Sequence, residues 1–313
     1  MSHEFLVCIE DELSEYSFPD NHPFSPARLF AFKDKLAKRV SSASYGTMAC
    51  RLATDQQLAL FHDENHVAQV KEISKEGCGF LDCGDTPAFC GVFEAASRVA
   101  GTVLAGVDQI MTGGAKRVFI PIAGLHHARR NTSAGFCVFN DIGIAIEYLR
   151  RNHGIQRIAY IDIDAHHGDG VFYEYESDPD LLIVDFHEDG HFLYPGTGHA
   201  HETGKGPAKG SKMNLPLPLN AEDDEFLELW PEAEAFIAQF QPEIILLQAG
   251  ADSLQGDPVT EMALTRLSHG FTTERLRYLA DKYSQGRMLV MGGGGYNLEN
   301  VADAWVEVVE RLI

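Results

Sequence analysis

Short, nearly continuous apolar runs recur along the chain, separated by longer stretches with apolar residues every three or four positions. The runs are Phe5–Ile9, Arg117–Pro121, Arg157–Ile163, Leu181–Phe186, Glu243–Gln248 and Arg287–Met291. They are short and do not alternate cleanly, so they predict strands buried on both faces of a parallel sheet. Between them, Ala88–Met111 places Phe93, Ala96, Ala100, Val103, Leu104 and Val107 at helical spacing. Asn140–Asn152 predicts a helix that opens on an Asn-Asp cap and stops before His153-Gly154. Asp223–Phe240, Leu264–Tyr283 and Leu298–Leu312 predict three more. Alternating strands and helices imply one α/β domain over residues 1–313, with a mainly parallel sheet. No linker rich in Pro, Gly or Ser divides it. The stretch 190–218 reads as a long ordered loop, of the kind that builds sites at the carboxyl ends of strands.

Polar clusters follow four of these strands. The densest is DIDAHHGDG, residues 162–170. Asp162, Asp164 and His166 are spaced by two, so in extended chain they point to one side. Two carboxylates and an imidazole gathered there are costly unless something neutralises them. A divalent cation does so, and Asp oxygen and His nitrogen are ordinary zinc ligands. GLHHA, residues 124–128, places His126 and His127 after the strand at 117–121. Such a pair by itself also fits surface or packing positions. It becomes catalytic when a carboxylate orients each ring, and Asp162 and Asp169 are available. GADSLQGDP, residues 250–258, sets Asp252 just past a strand end, where a turn former would also sit. GGGGYN, residues 292–297, lets the backbone pass close to something and ends on Tyr296. No Lys-Ser/Thr pair follows it, which excludes a P-loop.

Composition narrows the class. The 313 residues carry 25 Lys and Arg against 46 Asp and Glu, a formal net charge of −21. That argues against an electrostatic grip on nucleic acid and leaves a cationic partner open. No apolar run approaches the ~20 residues of a spanning helix. The start, MSHEFLVCIEDELSEY, lacks the basic region and cleavage site of a signal peptide. The six cysteines, with no C-x-x-C pair, read as free thiols in a reducing cytoplasm. His3, His62, His66, His153 and His269 have no evident partners, and His187, His191, His199 and His201 read as solvated loop residues.

Together these motifs resemble the zinc-dependent histone deacetylase family, with its arginase–deacetylase fold, and within it the bacterial acetoin-utilisation-type deacetylases and histone deacetylase-like amidohydrolases. The resemblance runs from His22-Pro23 to Asn297 and the closing helix. It includes CGDTPA (83–88), SAGFCVFND (133–141) and YPGTG (194–198) as well as the four clusters above. It implies a three-layer α/β/α domain with about eight strands, two more than the apolar runs supply.

The resemblance also implies roles. Asp164, His166 and Asp252 fall on the zinc ligands, a set that ferrous iron can also occupy. His126 and His127 fall on the tandem catalytic histidines, paired with Asp162 and Asp169, and Tyr296 on the catalytic tyrosine. Asp85 falls on the acid that holds the substrate backbone. Gly135 and Phe136, with Tyr194 opposite, fall on the walls of the acyl-lysine channel, where Phe is more common than Tyr at position 194. A structural potassium ion is implied at Asp162, Asp164, His166, Asp185 and Phe186, partly through backbone carbonyls. The implied reaction is hydrolysis of an N-acyl amide, of acetyl-lysine in proteins or peptides, with acetylated polyamines as the alternative substrate. Polyamine-selective relatives place a Glu directly after the Gly-Asp-Pro, where this chain has Val259, with Glu261 two residues on. Homo-oligomerisation stays open.

Overall fold

Eight strands form one all-parallel sheet in the order β2-β1-β3-β8-β7-β4-β5-β6 in the computed structural model, which describes residues 3–19 and 21–313. In chain order the elements are β1 (Phe5–Val7), α1 (Ala27–Arg39), β2 (Gly46–Thr47), α2 (Asp55–Leu58), α3 (Glu64–Glu76), α4 (Val92–Met111), β3 (Arg117–Ile120), α5 (Asp141–His153) and β4 (Ile158–Asp162). There follow α6 (Asp169–Phe172), β5 (Leu181–Glu188), β6 (Lys212–Leu217), α7 (Asp223–Phe240), β7 (Ile244–Gln248), α8 (Arg266–Tyr283), β8 (Met288–Met291) and α9 (Leu298–Leu312).

Every residue of β3, β4, β5, β7 and β8 is buried, which is why their sequences run apolar without alternation. Helices α1, α9, α8 and α7 pack in one series and α3, α4 and α5 in another, so both faces of the sheet are covered.

All six expected strands are present, and β2 and β6 are added at the two edges. β6 lies inside the stretch 190–218 that reads as a loop. Its sequence, KMNLPL, carries a proline that an edge strand tolerates and a central one does not. β5 also runs two residues past Phe186 to Glu188. The five expected helices are present. α4 starts at Val92, after Gly91 in the left-handed region (φ +90°), rather than at Ala88. α1 and α3 are further helices that the periodicity reading did not pick out.

The register aligns Ile120, Met291, Gln248, Asp162 and Asp185 in one row across β3, β8, β7, β4 and β5. Polar residues enter at this row. The four clusters therefore emerge from four neighbouring strands, β3, β8, β7 and β4, at one sheet edge. No helix among the described residues is long and apolar enough to cross a membrane.

Candidate active site

Asp162 ends β4 with its side chain fully buried. Its Oδ1 accepts from the Asp164 amide at 3.0 Å, and the Tyr160 hydroxyl donates to its Oδ2. Asp164 is held from three sides. Its Oδ2 accepts from Gln248 Nε2 at 2.7 Å and from the Gly294 amide at 2.8 Å, and its Oδ1 accepts from the His166 amide at 3.0 Å. Asp252 Oδ1 accepts from the Ala165 amide at 2.9 Å.

These bonds converge three donors. His166 Nδ1 lies 3.0 Å from Asp164 Oδ1 and 3.2 Å from Asp252 Oδ2. One ligand atom from each residue lies within 4.8 Å of the other two. Burial works to lower the His166 pKa, but the two carboxylates outweigh it and push it up to about 10. Burial and the Asp164 charge push Asp252 up to about 7. Two buried carboxylates and one imidazole around a shared point are a donor set that fits a divalent cation. Gly294 has to be glycine for this packing: a Cβ there would lie 2.1 Å from Asp252 Oδ2 and 2.7 Å from Asp164 Oδ2.

The loop after β3 carries the paired histidines. The buried Asp141 carboxylate at the start of α5 accepts from the Gly124 amide at 2.9 Å and the Leu125 amide at 3.1 Å, which fixes the loop's path. Burial raises that carboxyl to about 7. His126 Nδ1 contacts Asp162 Oδ2 at 2.7 Å, and His127 Nδ1 contacts Asp169 Oδ1 at 2.7 Å. Both rings are thus oriented by separate buried acids.

Their electrostatics differ. Burial opposes charge on His126, but Asp162 and Asp164 overcome it and raise it to about 10. Burial and the neighbouring His126 lower His127 to about 4, against the pull of Asp169. Asp169 is shared with Arg129, whose Nη2 donates to its other oxygen at 3.0 Å. Titratable neighbours pushed apart in this way are how sites separate acid from base.

Tyr296 is fixed from both sides. Its amide donates to Asp257 Oδ2 at 2.7 Å. The preceding glycines are gripped by Arg28, a fully buried side chain of α1: Nε donates to Gly295 O at 2.7 Å and Nη2 to Gly293 O at 2.6 Å. The guanidinium also sits 4.2 Å from the Phe24 ring centre. Burial drives the Tyr296 hydroxyl well above its ordinary pKa, so it stays a donor.

A cavity of about 250 Å³ brings these groups together. It is lined by His126, His127, Asp164, His166, Asp252 and Tyr296 at depth and by Asp85, Gly135, Phe136, Leu193, Tyr194 and Val259 toward the mouth. The Tyr194 ring stands 5.1 Å from His127, and the Phe136 ring 5.7 Å from Tyr296. Phe136 has φ +68° and is held there by its neighbours: Tyr16 Oη donates to its carbonyl at 2.7 Å, and its amide donates to Thr86 Oγ1 at 3.1 Å. Gly135, at φ +54°, passes so close to His127 that a Cβ would lie 2.6 Å from the ring. Asp162 and Asp169 sit behind the histidines rather than on the cavity wall. Cys137 lines the cavity, and burial pushes its thiol well above the usual range, away from thiolate chemistry.

Asp185 is buried beside Asp162 in the register. The Phe186 side chain instead packs against Phe226 and Trp230, so any ligand atom from this residue would come from its backbone. Three histidines that read as unpartnered are buried and bonded. His62 Nε2 accepts from the Asn140 amide at 2.8 Å, His66 contacts Val138 O at 3.3 Å, and His269 Nε2 donates to Gly250 O at 2.8 Å. His187 is likewise not a solvated loop residue: it lies in β5, between Asp185 Oδ1 at 2.7 Å and Gly198 O at 2.8 Å. Burial opposes its protonation, but Asp185 prevails and raises its pKa.

Comparison with known proteins identifies the family. Residues 22–312 match the histone deacetylase domain. The chain is 36% identical over 303 residues to the acetoin utilization protein AcuC of Bacillus subtilis, covering 94% of this chain and 78% of that protein. It is 35% identical over 315 residues to AcuC of Staphylococcus xylosus, covering 97% and 81%. The crystal structure of the HDA15 HD domain matches with a TM-score of 0.90 at 26% identity, over 99% of this chain and 89% of that one. The chain belongs to the histone deacetylase family, in its bacterial acetoin-utilisation-type branch. Its sheet and helices are those of the arginase–deacetylase fold, and membership supports deacetylase chemistry.

Proposed function

We propose that the chain acts as one zinc-dependent deacetylase domain that hydrolyses the acyl amide of acetyl-lysine side chains in proteins or peptides and releases acetate. The observation that carries this reading is the shared cavity. One wall holds Asp164, His166 and Asp252, and beside them stand two histidines whose Nε2 atoms are 3.1 Å apart. Asp164, His166 and Asp252 would hold the zinc ion, which when bound polarises the acyl oxygen and acidifies water. The same donors accept ferrous iron, because selectivity depends on geometry and supply.

The chain's own residues account for the rest. His127, neutral and held by Asp169, takes a proton at Nε2 from the attacking water and returns one to the leaving amine. His126, held cationic by Asp162, places positive charge beside the reacting carbon. Tyr296 donates its hydroxyl to the acyl oxygen as that oxygen becomes negative, a contribution of about 3 kcal/mol. Phe136 and Tyr194 flank the methylene stem of the lysine, and Gly135 leaves room for it. Asp85 at the mouth accepts from the substrate backbone. The buried acids Asp162, Asp164 and Asp185, with backbone oxygens of His166 and Phe186, offer a potassium ion its ligands.

Val259 lines the cavity where a polyamine-selective relative would place an acid, and Glu261 turns its amide toward Glu188 Oε2 at 2.9 Å. This favours a peptide over an acetylated polyamine. The test is acetate release from an acetyl-lysine peptide, acetylputrescine and acetylspermidine side by side, with a chelated control. Peptide turnover lost on chelation is expected. Turnover of polyamines alone would overturn the substrate.

A further inference from the structure

A second group of metal-ligating side chains stands on the loop after β5, outside the cavity. Asp189, His191 and His199 each bring one ligand atom within 4.8 Å of the other two. His191 Nδ1 lies 2.7 Å from Asp189 Oδ1. The His191 and His199 rings are 4.9 Å apart, and His201 stacks on His199 at 5.6 Å with the planes nearly parallel. Three of the chain's 14 histidines thus fall within residues 191–201.

The backbone holds these side chains in place. The His191 amide donates to Asp189 Oδ1 at 2.9 Å, and the Gly198 and His199 amides donate to Glu202 Oε2 at 3.0 and 2.7 Å. Gly190 packs directly on Thr197: a Cβ there would lie 2.4 Å from Thr197 O. The two arms of the loop therefore touch between the ligands, and little chain movement is needed to complete a site. His191 is exposed and His199 half-buried, so a solvated ion reaches both.

We propose that Asp189, His191 and His199 form a second metal site for a divalent transition cation such as Zn²⁺ or Ni²⁺. Two imidazoles and one carboxylate are borderline donors, which suit these ions and not Ca²⁺ or Mg²⁺. Three protein ligands leave the remaining positions to water. The site also has a mechanical consequence. Tyr194 lies between His191 and His199 in the chain, so an ion on Asp189, His191 and His199 ties both ends of the segment that forms one channel wall. Occupancy of the site fixes that wall.

The test counts zinc on the full-length chain by equilibrium dialysis, after stripping and titration with Zn²⁺ alone. Wild type is compared with D252N, which removes a cavity ligand, and with the surface double variant H191A/H199A. The site predicts a second equivalent on wild type that D252N keeps and H191A/H199A loses. A single equivalent on wild type, or a second equivalent that persists in H191A/H199A, would overturn it. Amide hydrogen exchange over residues 189–199 reads the clamp. The second equivalent slows exchange in wild type, and unchanged exchange at full occupancy would overturn the tie across Tyr194. Neither readout requires turnover, so both stand whether or not the deacetylase reading does.

Discussion

His126 and His127 face one another through Nε2 atoms 3.1 Å apart, while their outer nitrogens lead to different buried acids. Asp162 also accepts from the Tyr160 hydroxyl and the Asp164 amide, and together with Asp164 it still holds His126 above the usual imidazole range. Asp169 divides its charge between His127 and Arg129. With burial and the His126 charge acting on His127, the neighbouring imidazoles of one dipeptide are pushed in opposite directions, His126 up and His127 down.

The pH profile of kcat/KM follows from that split. His127 must be unprotonated to accept a proton, and its pKa lies near 4. Activity should hold across neutral pH and fall as pH is lowered toward about 4. Arg129→Ala returns the Asp169 charge to His127, raises its pKa and moves the acid limb to higher pH. A profile unmoved by Arg129→Ala would show that the guanidinium does not tune the base.

Tyr296→Phe removes one hydroxyl from the cavity and leaves Asp257 and Arg28 holding the backbone. The expected loss in kcat is about 10²–10³-fold, the usual cost of a missing oxyanion donor. Zinc content and KM should stay near the wild-type values. A kcat within a few-fold of wild type would remove Tyr296 from the chemistry.

Arg28 donates to two carbonyls of the glycine run from a fully buried position. Arg28→Met leaves Gly293 O and Gly295 O unpaired and should cost about 2–4 kcal/mol. Thermal unfolding measures it. Activity assayed well below the new midpoint should also fall, because Tyr296 follows directly on Gly295.

Gly294→Ala drives a methyl group into the Asp164 and Asp252 carboxylates. The fold should survive, as read by circular dichroism, while zinc affinity drops sharply in a competition titration. Unchanged affinity would mean that these carboxylates are not the ligands.

The residues that carry the motifs were legible because each follows an apolar run, and parallel strands deliver their carboxyl ends to one edge. Asp162, Asp164 and His166 could be proposed as a metal cluster from that pattern, whereas Asp252 took its place beside Asp164 and His166 only through the family resemblance. The supports were harder to see. Arg28 lies 267 residues from the Gly295 carbonyl it holds. The apolar spacing of Leu29, Phe32 and Leu36 in α1 was a signal for the helix, but no local feature distinguishes Arg28 from a surface arginine. Gln248 looked like the polar end of a strand, and its bond to Asp164 depends on the β4–β7 register. β6 escaped because Lys212 and Pro216 break the apolar pattern, although the Lys212 ammonium is buried and donates to the Asp178 carbonyl at 2.8 Å. His187 passed for a loop residue because the apolar run ends at Phe186, whereas pairing with β6 carries β5 on to Glu188.

The most direct measurement is the rate of acetate release from an acetyl-lysine peptide as zinc is returned to the stripped chain, in wild type and in Asp252→Asn. Wild-type turnover should rise from zero and reach most of its value with the first equivalent bound, and Asp252→Asn should stay inactive throughout. Turnover by the metal-free chain, or full activity in Asp252→Asn, would contradict the account.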